Sequence, residues 1–340
     1  MTLIYFILIL GIVVFIHEFG HFLFAKKAGI YVYEFSIGMG PRIFKFRRKN
    51  DETEYSIRIL PIGGFVQMAG EEVEVDEKIP ENKRLQSKTW MQRFLTMVAG
   101  VMFNFILGIV ILIIIYLING VPVNNMKIAK SSIDGLNKGD TIIKVNDKKV
   151  SNYDMLTLQL QVADKEKFNL TVKDVNGKTK TVSTKMQSKE NKDGEKTYYY
   201  DFELDGTRQK GFFISILYAF KKFISTLQQM LFIIFYLITG NLSLGSLSGP
   251  VGIYNAVGIY AKMGFSSLLS ILCLITINVG FINLLPLPAF DGGRILFLII
   301  EKIKGSPVNP KVENIFHSIG FILLMILMIF ITYNDIMRLF

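Results

Sequence analysis

The sequence predicts a polytopic α-helical membrane protein of four transmembrane helices, with a membrane-associated β-sheet and an inserted extracytoplasmic α+β domain. Three observations carry that prediction. Hydrophobic residues fill 51% of the 340 positions and the mean hydropathy is +0.39, too apolar for an ordinary soluble domain. The segments 3–25, 94–118, 268–287 and 319–333 are apolar runs of the kind that cross a hydrocarbon core of about 30 Å, the last being the shortest. Between the second and third, residues 124–206 turn to charged turns and β-branched runs, the composition of a chain folded in water.

The first span, within 1–29, has no Lys or Arg before Lys26, no small-residue cleavage site, and Lys26 and Lys27 directly after it. That charge order predicts an anchor whose N-terminus faces out, not a cleaved leader. In 30–70, apolar residues alternate in runs such as 42–46 and 55–59, separated by turn signals at Gly38, Gly40, Pro41, Asn50, Asp51, Gly63 and Gly64. This predicts a small antiparallel sheet near the membrane. Residues 71–93 are expected as a cytoplasmic linker, charged over 71–88 and interrupted by Pro80, that leads into the second span at 94–120.

The module at 121–207 has strand candidates at 141–145 and 168–172. In 208–266 the apolar stretch 212–240 is broken at its middle by Lys221, Lys222, Gln228 and Gln229, where a lysine costs about 2.5–3.5 kcal/mol to insert. It is therefore expected at the membrane surface as an amphipathic helix or helix pair. Glycine-rich 241–264, with Pro250, suits a loop or a partly embedded turn. A third span in 267–293, a cytoplasmic loop at 294–316 and a last span in 317–340 complete the chain.

The net charge of +10 does not point to nucleic acid, because the basic residues collect beside membrane ends, at 42–49 and 83–93. Topology and anionic headgroups of the lipid bilayer account for them. The one cysteine, Cys273, excludes an intrachain disulfide and any multi-cysteine metal site, and reads as packing.

His17, Glu18 and His21 lie inside the first apolar helix. The i, i+4 spacing puts both imidazoles on one face, able to ligate one zinc ion, and leaves Glu18 beside the metal to take a proton from water. Two histidines and a glutamate inside a span are costly unless paired, so such a cluster points to function. Catalytic zinc usually takes three protein ligands. Asp291 in the stretch 283–293, where prolines break the helix and glycines allow a tight turn, is the expected third, held in non-helical chain at the membrane edge. His317, at the start of the last span, reads as an interfacial residue. With the N-terminus outside, span one runs inward, span two outward and span three inward, so the three ligands reach one depth. Lys26, Lys27, Lys88, Arg93, Arg294, Lys302, Lys304 and Lys311 then all fall inside. A crossing by 212–240 would put Asp291 on the wrong side.

The stretch 134–150 resembles the PDZ family, where such a segment joins two strands and precedes a helix. The chain as a whole resembles the site-2 protease family of intramembrane zinc metalloproteases, particularly the bacterial regulators of sigma factors. The resemblance rests on His17 to His21, the elements at 38–41 and 61–65, one PDZ-like insert, the Gly-Pro-Val-Gly-Ile stretch at 249–253, and the motif at 283–293, in this order. It implies that His17, His21 and Asp291 bind zinc, that Glu18 is the catalytic base and that Asn283 contacts substrate near the scissile bond. Phe290 stands where the family usually has Leu, and one PDZ-like module fits where some bacterial relatives carry two. The implied reaction is peptide hydrolysis in the transmembrane segments of single-span membrane proteins, at a multi-pass site in the bacterial cell membrane with termini and module outside. A helical substrate must unwind first, and an edge strand of the 30–70 sheet, with Gly38 and Gly40, is expected to take up the extended segment. Ordinary turn formation is the other reading of these two glycines. An ion path through the same His, Glu and Asp cluster, as in a metal transporter or channel, is the competing function; a catalytically dead scaffold is weaker, since all four catalytic residue types are present.

Overall fold

In chain order the elements are α1 (Thr2–Lys27), β1 (Val32–Arg47), β2 (Glu54–Met68), α2 (Trp90–Asn119), β3 (Val121–Pro122), β4 (Ile128–Ser131), β5 (Thr141–Val145), β6 (Lys148–Lys149) and α3 (Tyr153–Gln161). There follow β7 (Phe168–Lys173), β8 (Thr179–Thr184), β9 (Gln187–Glu190), β10 (Lys196–Tyr199), β11 (Phe202–Leu204), β12 (Arg208–Gln209), α4 (Phe212–Ile238), α5 (Pro250–Lys262), α6 (Phe265–Leu284), α7 (Asp291–Lys304) and α8 (Pro310–Met337). The computed structural model describes residues 1–71, 78–190, 196–243, 245 and 247–337. The chain divides into two compact units, Met1–Ile111 with Leu247–Phe340, and Leu112–Ser246.

The first unit is built on close helix crossings. Gly20 of α1 faces the Ala99 carbonyl of α2, where a Cβ would come within 2.5 Å, and Gly280 of α6 faces Phe105 of α2, at 2.8 Å. Small residues at both crossings let the backbones approach, the packing device available where lipid gives helices no hydrophobic reason to associate. Phe6, Ile9 and Val13 of α1 pack with Val257 of α5 and with Ile271 and Ile275 of α6. A second core joins the end of α1 to the sheet, α2 and α7 through Ala25, Val32, Phe35, Val66, Met97 and Ile295.

A sheet is present where one was expected, but it is not wholly antiparallel, and its topology is one that alternation alone does not reveal. Residues 34–37 of β1 pair on one side with 64–67 and on the other with 54–57 of β2, while 42–47 pair with 54–58. Two long bent strands thus make a sheet of four segments with 64–68 and 42–47 as its edges; each edge runs antiparallel to its neighbour, while the central segments 34–37 and 54–57 run in parallel register. The bend in β1 falls at Gly38 and Gly40, with φ of +90° and +83°. A Cβ at Gly38 would lie 2.6 Å from the Leu60 carbonyl, so both the dihedral and the space require glycine.

Four sequence expectations change, one of them the loop expected at 294–316, of which 294–304 belong to the helix α7. Of the segment read as a solvated linker, 72–77 lie outside the described residues, but 78–88 are docked: the Leu85 N–H donates to the Ala69 carbonyl at 2.7 Å, the Tyr31 N–H to the Lys83 carbonyl at 2.9 Å, and Leu85 is buried in the core around α1 and the sheet. The glycine-rich stretch read as a loop contains the helix α5. Pro250 suits its first turn, and the Asp335 carboxylate of α8 accepts from the Gly249 and Gly252 N–H groups at 2.9 and 2.8 Å, satisfying donors that a helix start leaves open. Asp291 is the first residue of α7 and not part of a non-helical turn.

The second unit holds the four-stranded sheet β6-β5-β7-β8, with α3 packed on it through Met155, Leu156, Leu158 and Leu160 against Ile142, Phe168 and Leu170. The strands expected at 141–145 and 168–172 are β5 and β7. Asn152 caps α3 by accepting from the Met155 N–H at 2.9 Å. Within 212–240 one continuous helix forms, α4, and several of its polar residues have partners on the module: Lys222 and Ser225 both bond Asp154, and the Tyr236 hydroxyl accepts from Gln159 at 2.7 Å. Among the described residues five helices, α1, α2, α4, α6 and α8, are long and apolar enough to cross a membrane by length and composition, one more than the four expected; α4 is the least apolar of them.

Candidate active site

The site assembles in the first unit from α1, α2 and the start of α7. One helical turn separates His17 and His21, and both rings are buried. Their Nε2 atoms stand 3.3 Å apart, and Asp291 Oδ2 lies 3.1 Å from His17 Nε2 and 3.3 Å from His21 Nε2.

This triangle fits zinc. Bonds of about 2.0–2.1 Å in a tetrahedral set put neighbouring ligand atoms about 3.3 Å apart, so the three atoms match one face of such a tetrahedron. Two further observations agree. Asp291 Oδ2 is buried with no hydrogen-bond partner, an expensive condition unless a cation completes it. His21 Nδ1 contacts the Thr96 carbonyl of α2 at 2.8 Å, a bond that requires the proton on Nδ1 and so leaves the Nε2 lone pair for a metal. Asn104 of α2, fully buried, stands 3.3 Å from His17 Nδ1 and orients the other ring. The amide oxygen of Asn104 is buried and unpartnered; exchanging amide O and N, a choice that networks decide, would let it accept from His17 Nδ1–H.

Gly100 of α2 makes room for both rings, since a Cβ there would rest on His21 Nε2 and lie 2.8 Å from His17 Cε1. The link 285–290 ends α6 and starts α7 without a break in packing: at Gly292 a Cβ would lie 2.5 Å from the Leu284 carbonyl. The Asp-Gly-Gly sequence is thereby explained by close approach of α7 to the end of α6.

Glu18 is half-buried on the same turn as His17. Gly64 of the sheet comes close to it, with a Cβ position 3.5 Å from Glu18 Cγ. Gly38 and Gly40 sit at the bend of β1, where the Gly40 carbonyl accepts from Arg58 at 2.8 Å. Asn283 lies near the end of α6 and donates to the Val279 carbonyl one turn back at 2.9 Å. Of the residues singled out in the sequence, the structure brings together His17, His21 and Asp291, the cluster among the described residues with metal-ligand spacing. Sequence reasoning missed Thr96, Gly100 and Asn104, which act only through the crossing of α1 and α2. It also passed over His317, whose Nδ1 accepts from the Ala289 N–H at 3.1 Å.

Two imidazoles and one carboxylate aimed at a common point, with a second carboxylate on the same helical turn, are the residue types of a zinc metalloprotease, here set among helices of membrane length. Comparison with known proteins agrees: the model of peptidase family M50 matches residues 5–327, and the chain belongs to that family, the site-2 proteases. It is 32% identical to zinc metalloprotease RasP of Oceanobacillus iheyensis, 33% to the regulator of sigma-W protease RasP of Bacillus subtilis and 32% to zinc metalloprotease RasP of Shouchella clausii, in each case over 100% of this chain and 99% of the relative. The protein is a zinc-dependent protease of the membrane, and these comparisons do not favour the ion-path reading.

Proposed function

We propose that this protease hydrolyses peptide bonds within the transmembrane segments of single-span membrane proteins, of the anti-sigma-factor or signal-peptide-remnant kind, in regulated intramembrane proteolysis. The observation that carries the proposal is the His17, His21 and Asp291 triangle, with both imidazoles and Asp291 Oδ2 buried, set among helices long and apolar enough to span. His17, His21 and Asp291 hold the zinc, which supplies Lewis acidity at the scissile carbonyl and acidifies the attacking water. Glu18 takes the water proton on its carboxylate and hands it to the leaving amine. Asn283 contacts the substrate near the cut.

The substrate must arrive extended. Among the described residues the edge segment 64–68 pairs on one side only, with β1, and begins at Gly64 beside Glu18. Strand addition there would pair the backbone of an unwound helix where water is scarce. Gly38 and Gly40 contribute by bending β1 so that this edge is presented.

Four spans, α1, α2, α6 and α8, with α4 on the surface, fit the site best. The ends of α1 and α6 that carry the ligands must share one side. A crossing by α4 would bring α6 in from the opposite side, and α5, of 13 residues, spans only about 20 Å and cannot restore the direction. The termini and the PDZ-like module at 121–207 then lie outside and the zinc toward the cytoplasm, so the module supplies no catalytic group and serves to exclude substrates with bulky external domains. The test is co-expression of the protein, or its Glu18→Gln form, with tagged single-span proteins and mapping of the cut. Cuts confined to soluble loops, or equal cutting by Glu18→Gln, would refute the proposal.

A further inference from the structure

His317 has no part in the zinc triangle, yet the structure ties it to the chain that delivers Asp291. Its Nδ1 accepts the Ala289 N–H at 3.1 Å, which fixes the ring tautomer with the proton on Nε2. That Nε2 is buried and has no hydrogen-bond partner, so the bond to Ala289 is the polar contact that orients the ring, packed beside Phe297 and Phe316. Ala289 itself has φ +69°, the left-handed region that a residue with a Cβ adopts only when its surroundings hold it there. The surroundings are close: a Cβ at Gly293 would come within 2.9 Å of His317 Cε1 and 2.6 Å of the Leu287 carbonyl, and one at Gly320 would lie on Pro288. The last helix is thus pressed on 287–289, and its one-turn pair His317 and Gly320 supplies an acceptor and a space.

The φ of Ala289 sets the direction in which the chain leaves Pro288 and enters α7, whose first residue is Asp291. We propose that His317 is a positioning residue: by holding the Ala289 N–H it keeps Ala289 left-handed, and so fixes the Asp291 carboxylate against His17 and His21. Without the acceptor, the Ala289 N–H loses its protein partner and Ala289 relaxes to negative φ. A ligand site tolerates displacements of only about 0.5 Å, so the relaxed link releases metal. The inference rests on the reading of Asp291 as a zinc ligand.

The experiment uses the full chain in detergent and reads zinc retention against a chelator, together with amide exchange over the link 285–290 in zinc-free protein. His317→Phe keeps a ring and removes the acceptor; it should hold zinc about 10–100-fold more weakly and exchange faster over the link. His317→Gln retains an acceptor and should stay near the parent protein. Ala289→Gly added to His317→Phe should recover zinc affinity, because glycine adopts the left-handed region freely, a rescue that a mere packing role for the ring would not give. If the Phe variant does not fold, His317→Leu removes the same acceptor in a smaller volume. Parent affinity in His317→Phe, or loss there without rescue by Ala289→Gly, would overturn the inference. Asp291→Ala separates the two levels: parent affinity in that variant would overturn the ligand reading beneath the inference, whereas loss there with parent affinity in His317→Phe overturns the inference alone.

Discussion

Gly100 ligates nothing, and the structure makes it a sensitive test of the metal site. A methyl group placed on it would rest on His21 Nε2 and lie 2.8 Å from His17 Cε1. Carbon atoms at rest meet at about 3.5–4.0 Å, so a ring must retreat by roughly 0.7 Å or more, beyond the displacement of about 0.5 Å that a ligand site tolerates. Helix propensity works in the other direction, since alanine is a better helix former than glycine by about 1 kcal/mol. Gly100→Ala is therefore expected to fold and to lose zinc affinity by at least the roughly 10–100-fold seen for changes behind the ligands, with cleavage falling in step. Metal analysis and chelator titration of the purified variant check this. Gly108→Ala is the control on the same helix: its methyl would meet Ile277 at 2.5 Å, away from the triangle, so it should lower thermal stability and keep its zinc. Full zinc occupancy at parent affinity in Gly100→Ala would refute the geometry argued for the site.

On the proposed roles, Glu18→Gln should abolish cleavage while nearly all the zinc remains, because it would remove the proposed base and leave the three proposed ligands; turnover at the parent rate would sink the proton-transfer role. Asn104→Ala should weaken zinc about tenfold or more by freeing the His17 ring, and unchanged metal affinity would remove Asn104 from the site. Asp335→Ala strands the Gly249 and Gly252 N–H groups at the start of α5 and should cost about 1–3 kcal/mol, read as a lower melting temperature; an unmoved melting point would mean that α5 does not need this cap. Burial raises the Asp51 carboxyl, but Lys26, the Thr53 N–H and the Tyr55 hydroxyl outweigh it and hold the pKa at about 2, below the ordinary 3.8. The stability from this lowered group is present above pH 3.8 and is lost as pH falls through about 2. Solvent screening keeps it small. The parent's advantage in melting temperature over Asp51→Asn should thus fade across that window, and a constant difference would count against the pair.

The α4 helix shows how composition and packing divide the evidence. Its lysines and glutamines mark it as a poor span, yet Lys222 and Ser225 bond the buried Asp154 of the module and the Tyr236 hydroxyl bonds Gln159. The polar face has a protein partner, which no periodicity within 212–240 announces. α5 was hidden for a related reason. Glycine and proline read locally as a loop, and the carboxylate that caps the helix lies more than eighty residues later in the chain, at Asp335.

By itself the sequence determined the four apolar spans, two of the module's strands at 141–145 and 168–172, and the placing of His17, Glu18 and His21 within about one helical turn, because helical and strand periodicities and i, i+4 proximity are local properties of the chain. It also pointed to Asp291, since chain direction through the membrane restricts which acidic residue can reach the depth of the histidines. Tertiary structure alone decided the rest: the folding of two strands into four segments, the setting of both rings by Thr96, Asn104 and Gly100, and the hold of His317 on Ala289. Each depends on side chains and carbonyls from different helices meeting at atomic distance, and that distance is set by how closely the helices cross, a quantity no single segment contains.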